Sequence, residues 1–523
     1  MIKIINSKAI KTVSFSSFVI LFICLLFTIN YALSLFPLRF DITANRRYTV
    51  TAATKKILKN IDDTVNVKVY ISNELPAETL SLKQELRDLL SEYSFIAGGK
   101  LKTSYISPET EEEKQKAISL GIPPLQFNDV KKDKYEVSQG FFGLAILYND
   151  RKEVIPMINS ANLEYDLTSA IVRVIRKEMP TVGFTGGHGE PSAEEGANYI
   201  NQLLKKEYLI ENVDLTADIS TLKNIKTIIV NGPKSAYTDL EQYSLDQYLM
   251  NGGNLLFLLD GVSVDNNLQG SKSSHGLFEL LKSYGLILKP DLVVDAASGI
   301  APFSSGYNTF YTPYPFWPKI NKEGFNPENP LTKDLEAALF PWVSTIETVN
   351  QEGGIIIDLI NTSPKSYIVE NNFDLSPQQT YQFNSASLNK QRISAAVEGN
   401  IISFYKEKNK PKGLKSSSSF IGNTTEGKII LVGDADFVND GILGSNQGNM
   451  ILFLNMVDYL SQNSDLFSIR SKGFTDRPLM ELTESQKNTL RYLNIFGPPT
   501  LVAGIGLAYR FIRRRNKYEL PIS

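Results

Sequence analysis

Two uncharged, apolar segments lie at opposite ends of this chain, and they constrain its architecture more than any motif between them. No residue from Thr12 to Leu38 is charged, and none from Tyr492 to Tyr509. A helix of about 20 apolar residues crosses a bilayer. The expectation is therefore a transmembrane helix over residues 13–35, another over 492–509, and an ordinary globular sequence of roughly 450 residues between them. A secretory signal has an apolar region of only about 7–15 residues, so the first segment reads as a retained anchor, although Ala32 and Ser34 offer a small-x-small cleavage pattern. A lipid anchor at Cys24 is excluded by the bulky Ile23 before it and the apolar sequence after it. The second segment contains Pro498 and Pro499, which are tolerated near the start of a span because the first helical N–H groups have no intrahelical partner. Arg510, Arg513, Arg514, Arg515 and Lys517 follow it, which marks residues 510–523 as cytoplasmic. An even number of spans returns residues 1–12 to the same side, in agreement with Lys3, Lys8 and Lys11. The expected localisation is a two-pass inner-membrane protein with its bulk in the periplasm.

Charge excludes one class of partner. Lys and Arg total 54 against 56 Asp and Glu, for a net charge of −2, so no basic footprint for nucleic acid exists. Cys24 is the sole cysteine and there are two histidines. The large region between the apolar segments therefore has no disulfide, and a zinc centre is not expected.

The middle of the chain is too long for one typical domain. From about residue 40 to 179, TVNVKVYIS and LKTSYIS alternate as strands, and LSLKQELRDLLSEYSFIAG carries leucines at helical spacing. FFGLAILYNDRKEVIPMI reads as a hairpin turning at Asn149-Asp150, and LEYDLTSAIVRVIRKE as a helix. From 180 to 463, apolar strands (TVGFT, TIIVN, NLLFLL, KIILV) alternate with helices. Strands apolar on both faces are the signature of a parallel sheet covered by helices, so the fold class is α/β. The alternation breaks over about 300–420, an irregular insertion, and the final strand–helix pair returns to the same sheet. Residues 464–491 are mostly polar and read as a linker.

No G-x-x-x-x-G-K-[ST] occurs, so the chain is not expected to hydrolyse ATP itself. Gly186-Gly187-His188-Gly189-Glu190 follows a strand and precedes a helix, the edge at which open α/β sheets bind ligands. Its N–H groups could hold an anion and His188 could serve as acid or base, while the plainer reading is a tight turn that uses glycine for φ > 0. Asp434 and Asp436 also end a strand. They could hold Mg²⁺ through water, but aspartate at such a place more often caps a turn, and no metal is expected. Phe303, Tyr307, Phe310, Tyr311, Tyr314, Phe316 and Trp317, spaced by prolines, fit an extended loop; Tyr311 and Trp317 are its candidates for stacking on sugar rings. There is no G-x-S-x-G, and the region between the spans has no cysteine nucleophile, so no catalytic residue is assigned.

RFDITANRRYTVTAATKKILKNIDDTVNVKVYIS, FTGGHGE, NLLFLLDGV and VGDADFVND, with the basic run RRR after the last apolar segment, together resemble the ABC-transporter auxiliary family, and within it the gliding-motility member of Bacteroidetes. The resemblance spans nearly the whole chain. It implies flavodoxin-like sheet domains, one of them shared with intraflagellar-transport proteins, in an extracytoplasmic region. It also implies a partner ABC ATPase and a separate multi-span permease. It brings no catalytic residues and no cofactor. The reading is thus a non-catalytic accessory subunit, with a glycan- or peptide-binding module and a hydrolase centred on His188 and Glu190 as the alternatives.

Overall fold

The run Asn254–Leu258 shows how this sequence builds its largest sheet. Leu256 and Leu258 pack on one side, against Ile451, Phe453 and Val457, while Leu255 and Phe257 pack on the other, against Leu245, Leu249 and Leu281. All are buried, and a fully buried Leu or Phe contributes about 1.5–3 kcal/mol relative to exposure. A strand covered on both faces has no polar side, hence the unbroken apolar sequence.

The computed structural model describes residues 21–28, 49–131, 134–159, 162–191, 198–265, 267–305, 308–351, 353–383, 387–406, 411, 419–461, 469–470 and 484–515. The chain falls into two compact units, Met1–Thr475 and Asp476–Ser523.

The first unit opens with α1 (Ala52–Lys59), β1 (Val65–Ile71), α2 (Ala77–Ile96), β2 (Leu101–Ile106), α3 (Glu111–Leu120), β3 (Leu125–Lys131), β4 (Lys134–Gly140), β5 (Phe142–Tyr148), β6 (Arg151–Ile155) and α4 (Leu163–Ile175). Strands pair in the order β2-β1-β5-β6, and β3 pairs with β4 alone. Asn149, with φ 50°, makes the β5–β6 turn where the sequence placed it. Glu164 on α4 accepts from the Thr51 amide at 2.7 Å and the Thr54 hydroxyl at 2.8 Å, which ties α1 to α4.

The larger sheet follows, with β7 (Thr181–Thr185), α5 (Asn198–Leu204), β8 (Leu209–Val213), β9 (Ile225–Asn231), α6 (Asp239–Met250), β10 (Asn254–Leu258), α7 (Phe278–Ser283), β11 (Gly354–Asn361), β12 (Arg392–Gly399), β13 (Ile429–Val432), α8 (Asp440–Ser445) and α9 (Gln447–Leu460). Its order is β11-β12-β13-β10-β9-β7-β8. The five strands from β13 to β8 run parallel, and β12 is antiparallel to both of its neighbours.

The aromatic segment read as an extended loop is paired. Ser298–Ser305 and Asn308–Asn321 form an antiparallel hairpin, with a register shift between Ser298 and Ile300. Its prolines lie where strands tolerate them, at an irregular, locally paired ribbon rather than inside the large sheet. Tyr314 and Phe316 on its second strand are buried, and the Tyr314 hydroxyl donates to the Leu375 carbonyl at 2.8 Å.

Two expectations are corrected. The described residues form one sheet of four strands, one of seven and six of two or three, a mixed α/β chain rather than flavodoxin-like domains flanked by transmembrane helices. No helix among the described residues is long and apolar enough to cross a membrane. The second apolar segment does lie in a helix, α10 (Glu484–Arg515), which is long but insufficiently apolar. Asn494, Pro498, Pro499, Thr500 and three glycines dilute its aliphatic residues, and charged residues flank them on both sides. Of the first segment only residues 21–28 are described, and they are helical. The rest of 13–35 lies outside the described residues. The two-pass inner-membrane localisation, with its periplasmic bulk, falls with these helices.

Candidate functional site

Chain order along the large sheet reverses between β7 and β9: β7 leads outward to β8, and β9 leads the other way to β10 and on to β13. Such a reversal leaves a crevice outside the carboxyl ends of the strands, where the loops diverge to opposite faces. The 186–190 loop, the loop after β9 and the acidic turns after β10 and β13 all belong to this edge.

Gly187 and Gly189 have φ of 101° and 82°, left-handed values that a side chain resists. Gly186 needs no such freedom. The loop is latched to its neighbour by backbone: the His188 carbonyl accepts from the Lys234 amide at 2.7 Å and the Ser235 amide at 3.1 Å. The His188 ring stacks on Tyr237 at 4.1 Å. Its Nε2–H donates to Glu241 Oε1 at 3.0 Å. Glu241 is also the third residue of α6, where its other oxygen accepts from the Thr238 amide at 2.8 Å in a capping box. Burial pushes the Glu241 carboxyl up, but the Thr238 hydroxyl and amide and His188 outweigh it, so the net shift is downward. Glu190 accepts from the His188 amide at 2.7 Å and from the Tyr237 hydroxyl at 2.6 Å. Burial, then the charge of Glu190, raise the Tyr237 phenol. Both acidic groups of this loop region are thus engaged with protein donors.

Lys234 connects this loop to a second group. Its Nζ lies 3.4 Å from Asp260 Oδ2, just beyond β10. Leu258 pairs with Val432, so Asp260 and Asp434 stand at matching positions two residues past the pair. One oxygen from each of Asp260, Asp434 and Asp436 lies within 4.8 Å of the others. Asp260 and Asp434 are buried and Asp436 is half-buried. Burial, then the charges of Asp436 and Asp260, hold the Asp434 carboxyl well above the usual range. Burial and Asp260 push Asp436 up to about 7, and burial raises Asp260 against the opposing Lys234. The second histidine, His275, is buried and neutral, its pKa driven down to about 4 by desolvation.

The structure gathers Gly186–Glu190 at the sheet edge but leaves Tyr311 and Trp317 out of it. Tyr311 is 72% exposed on the hairpin, and Trp317 packs edge-on against Trp342 at 5.5 Å in a separate apolar cluster. Sequence reasoning missed Tyr237, Lys234, Ser235 and Asp260. It missed Glu241 as well, although Thr238-Asp-Leu-Glu241 is a readable capping box.

Among known proteins, the family described as "ABC-type uncharacterized transport system" matches residues 179–463, more than half of the chain. A domain of unknown function matches residues 44–147. An uncharacterised protein of Borreliella burgdorferi is 23% identical over 513 residues, covering 94% of this chain and 96% of the relative. Among solved structures, the mmIFT52 N-terminal domain is 17% identical at a TM-score of 0.34, covering 54% of this chain and 97% of that domain. A thuA-like protein from Bacteroides uniformis is 14% identical at a TM-score of 0.30, covering 55% of this chain and 93% of that protein. The match over 179–463 contains the whole seven-stranded sheet and its acidic edge, and the chain belongs to this ABC-type transport system family of auxiliary components.

Proposed function

We propose that the chain is a non-catalytic accessory subunit of an ABC transporter complex, working beside a separate ATPase and a permease. The observation that carries this reading is the closure of the glycine loop: His188, Glu190, Tyr237 and Glu241 satisfy one another, which favours a rigid presenting edge over a reacting centre. Gly186 and Gly187, with open space where a side chain would stand, are the part of the loop offered to a ligand or partner. The narrower assignment to gliding motility rests on the motif resemblance alone.

A second reading has one specific observation behind it. Ser235 Oγ lies 3.5 Å from His188 Nδ1, and Glu241 holds Nε2, the order of a serine–histidine–acid relay. The serine contact is longer than a working hydrogen bond, although such contacts tighten when substrate binds.

Turnover assays separate the two. The purified chain is expected to hydrolyse neither ATP nor simple esters, and His188→Ala is expected to cost stability on the order of 1–3 kcal/mol through the lost bond to a carboxylate. A rate that co-purifies with the chain and vanishes in both Ser235→Ala and His188→Ala overturns the accessory reading in favour of a hydrolase.

A further inference from the structure

We propose that Asp260, Asp434 and Asp436 bind one hard divalent cation, Ca²⁺ or Mg²⁺, at the carboxyl edge of the large sheet. The three carboxylates come from two adjacent parallel strands and converge within 4.8 Å, two of them buried. Oxygen-only donors of this kind select Ca²⁺ or Mg²⁺ over softer metals.

A separate observation points to a missing partner. Asp434 Oδ1 accepts from the amides of Asp436 at 2.6 Å and Phe437 at 3.1 Å, which pins the carboxylate in its turn. Its other oxygen, Oδ2, is buried without any hydrogen-bond partner on a residue that is 0% exposed. The charged groups acting on Asp434 are Asp436 and Asp260, the other two members of the group. A buried carboxylate oxygen with no donor is costly unless something outside the chain meets it. One strand over, Asn231 ends β9 opposite Leu258, and its buried Oδ1 also lacks a partner.

The protein's own counter-ion is insufficient. Lys234 pairs with Asp260 at 3.4 Å, its charge also acts on Asp436, and its side chain is 54% exposed. One exposed monovalent cation pairs with one of the three carboxylates, whereas a divalent ion held between them would face all three. All three oxygens lie within 4.8 Å of one another, a reach that a single Ca²⁺ or Mg²⁺ can bridge, with bonds of about 2.3–2.6 Å or 2.0–2.1 Å respectively.

The test is calorimetric titration of the full-length, chelator-stripped chain with CaCl₂ and, separately, MgCl₂, with circular dichroism confirming the fold. One saturable site is expected. Asp434→Asn and Asp436→Asn are each expected to weaken it at least about tenfold, the lower bound seen for disturbing a metal's surroundings. Asp436 is the less buried of the two, so its variant decides the matter if Asp434→Asn fails to fold. Lys234→Met is expected to tighten binding, because it removes a competing cation; a purely structural lysine would leave affinity unchanged. Absence of binding by the folded chain, or affinity unaltered in Asp436→Asn, overturns the proposal.

Discussion

Replacing Arg470 with methionine is expected to destabilise the folded chain by about 3–5 kcal/mol, because it leaves a buried carboxylate without its charge partner. Arg470 is 1% exposed and Asp458 fully buried, with 2.8 Å between them. The guanidinium also donates to Asn455 Oδ1 at 3.1 Å and to the Tyr165 hydroxyl at 3.1 Å, while the Tyr208 hydroxyl donates to the same Asp458. Tyr165 belongs to α4 of the first sheet domain, and Asp458 to α9 of the second. Beside them Ile469 packs with Ile57 on α1, so residues 469–470 clip the two domains together. Urea unfolding of Arg470→Met should show the loss. The double variant Arg470→Met/Asp458→Leu should lose less than the single, since removing both charges is often near neutral. A loss under about 1 kcal/mol in the single variant, the range of an exposed pair, would contradict this account.

Gly433→Ala is expected to cost about 3 kcal/mol, at the upper end for overpacking, and to disturb the acidic edge. A Cβ at Gly433 would stand 2.2 Å from the Ser344 carbonyl oxygen, and backbone cannot swing aside as a side chain can. The same approach carries the bond from Ser344 N to the Gly433 carbonyl at 2.7 Å, and Gly433 N donates separately to Ile393 O at 3.0 Å. Since Asp434 follows directly, cation affinity should fall together with stability. Gly186→Ala is the control: nothing lies within 4 Å of its Cβ and its φ is ordinary, so it should stay within about 0.5 kcal/mol of the parent. Equal losses in the two variants would contradict the close-approach argument.

The parts of this molecule legible in its sequence are those written in local periodicity. Strands β7, β9, β10 and β13 stand where apolar runs predicted them, and Gly187 and Gly189 occupy left-handed backbone as a tight turn requires. The rest depended on contacts between distant residues. Asp260 and Asp434 meet only because β10 and β13 pair in one register across a long insertion, which no single-strand pattern encodes. Tyr237 reaches Glu190 from the loop of a neighbouring strand. The Ser298–Asn321 hairpin was hidden by its prolines, which ordinarily argue against strands. Arg470 sits in a mostly polar stretch whose composition signals a linker, yet it is held inside a fully buried ion pair. In α10, the absence of charge suggested a membrane span, whereas Asn494, two prolines and three glycines leave the helix short of the required apolarity.

The central claim, an accessory subunit rather than a self-sufficient enzyme, is tested most directly by affinity purification of the tagged full-length chain from detergent extracts of its native cells, with mass-spectrometric identification of what accompanies it. The account predicts an ABC-type ATPase and a multi-span permease in yields comparable to the chain, and both retained in His188→Ala, whose role is to brace the loop. Recovery of the chain without either protein would contradict it.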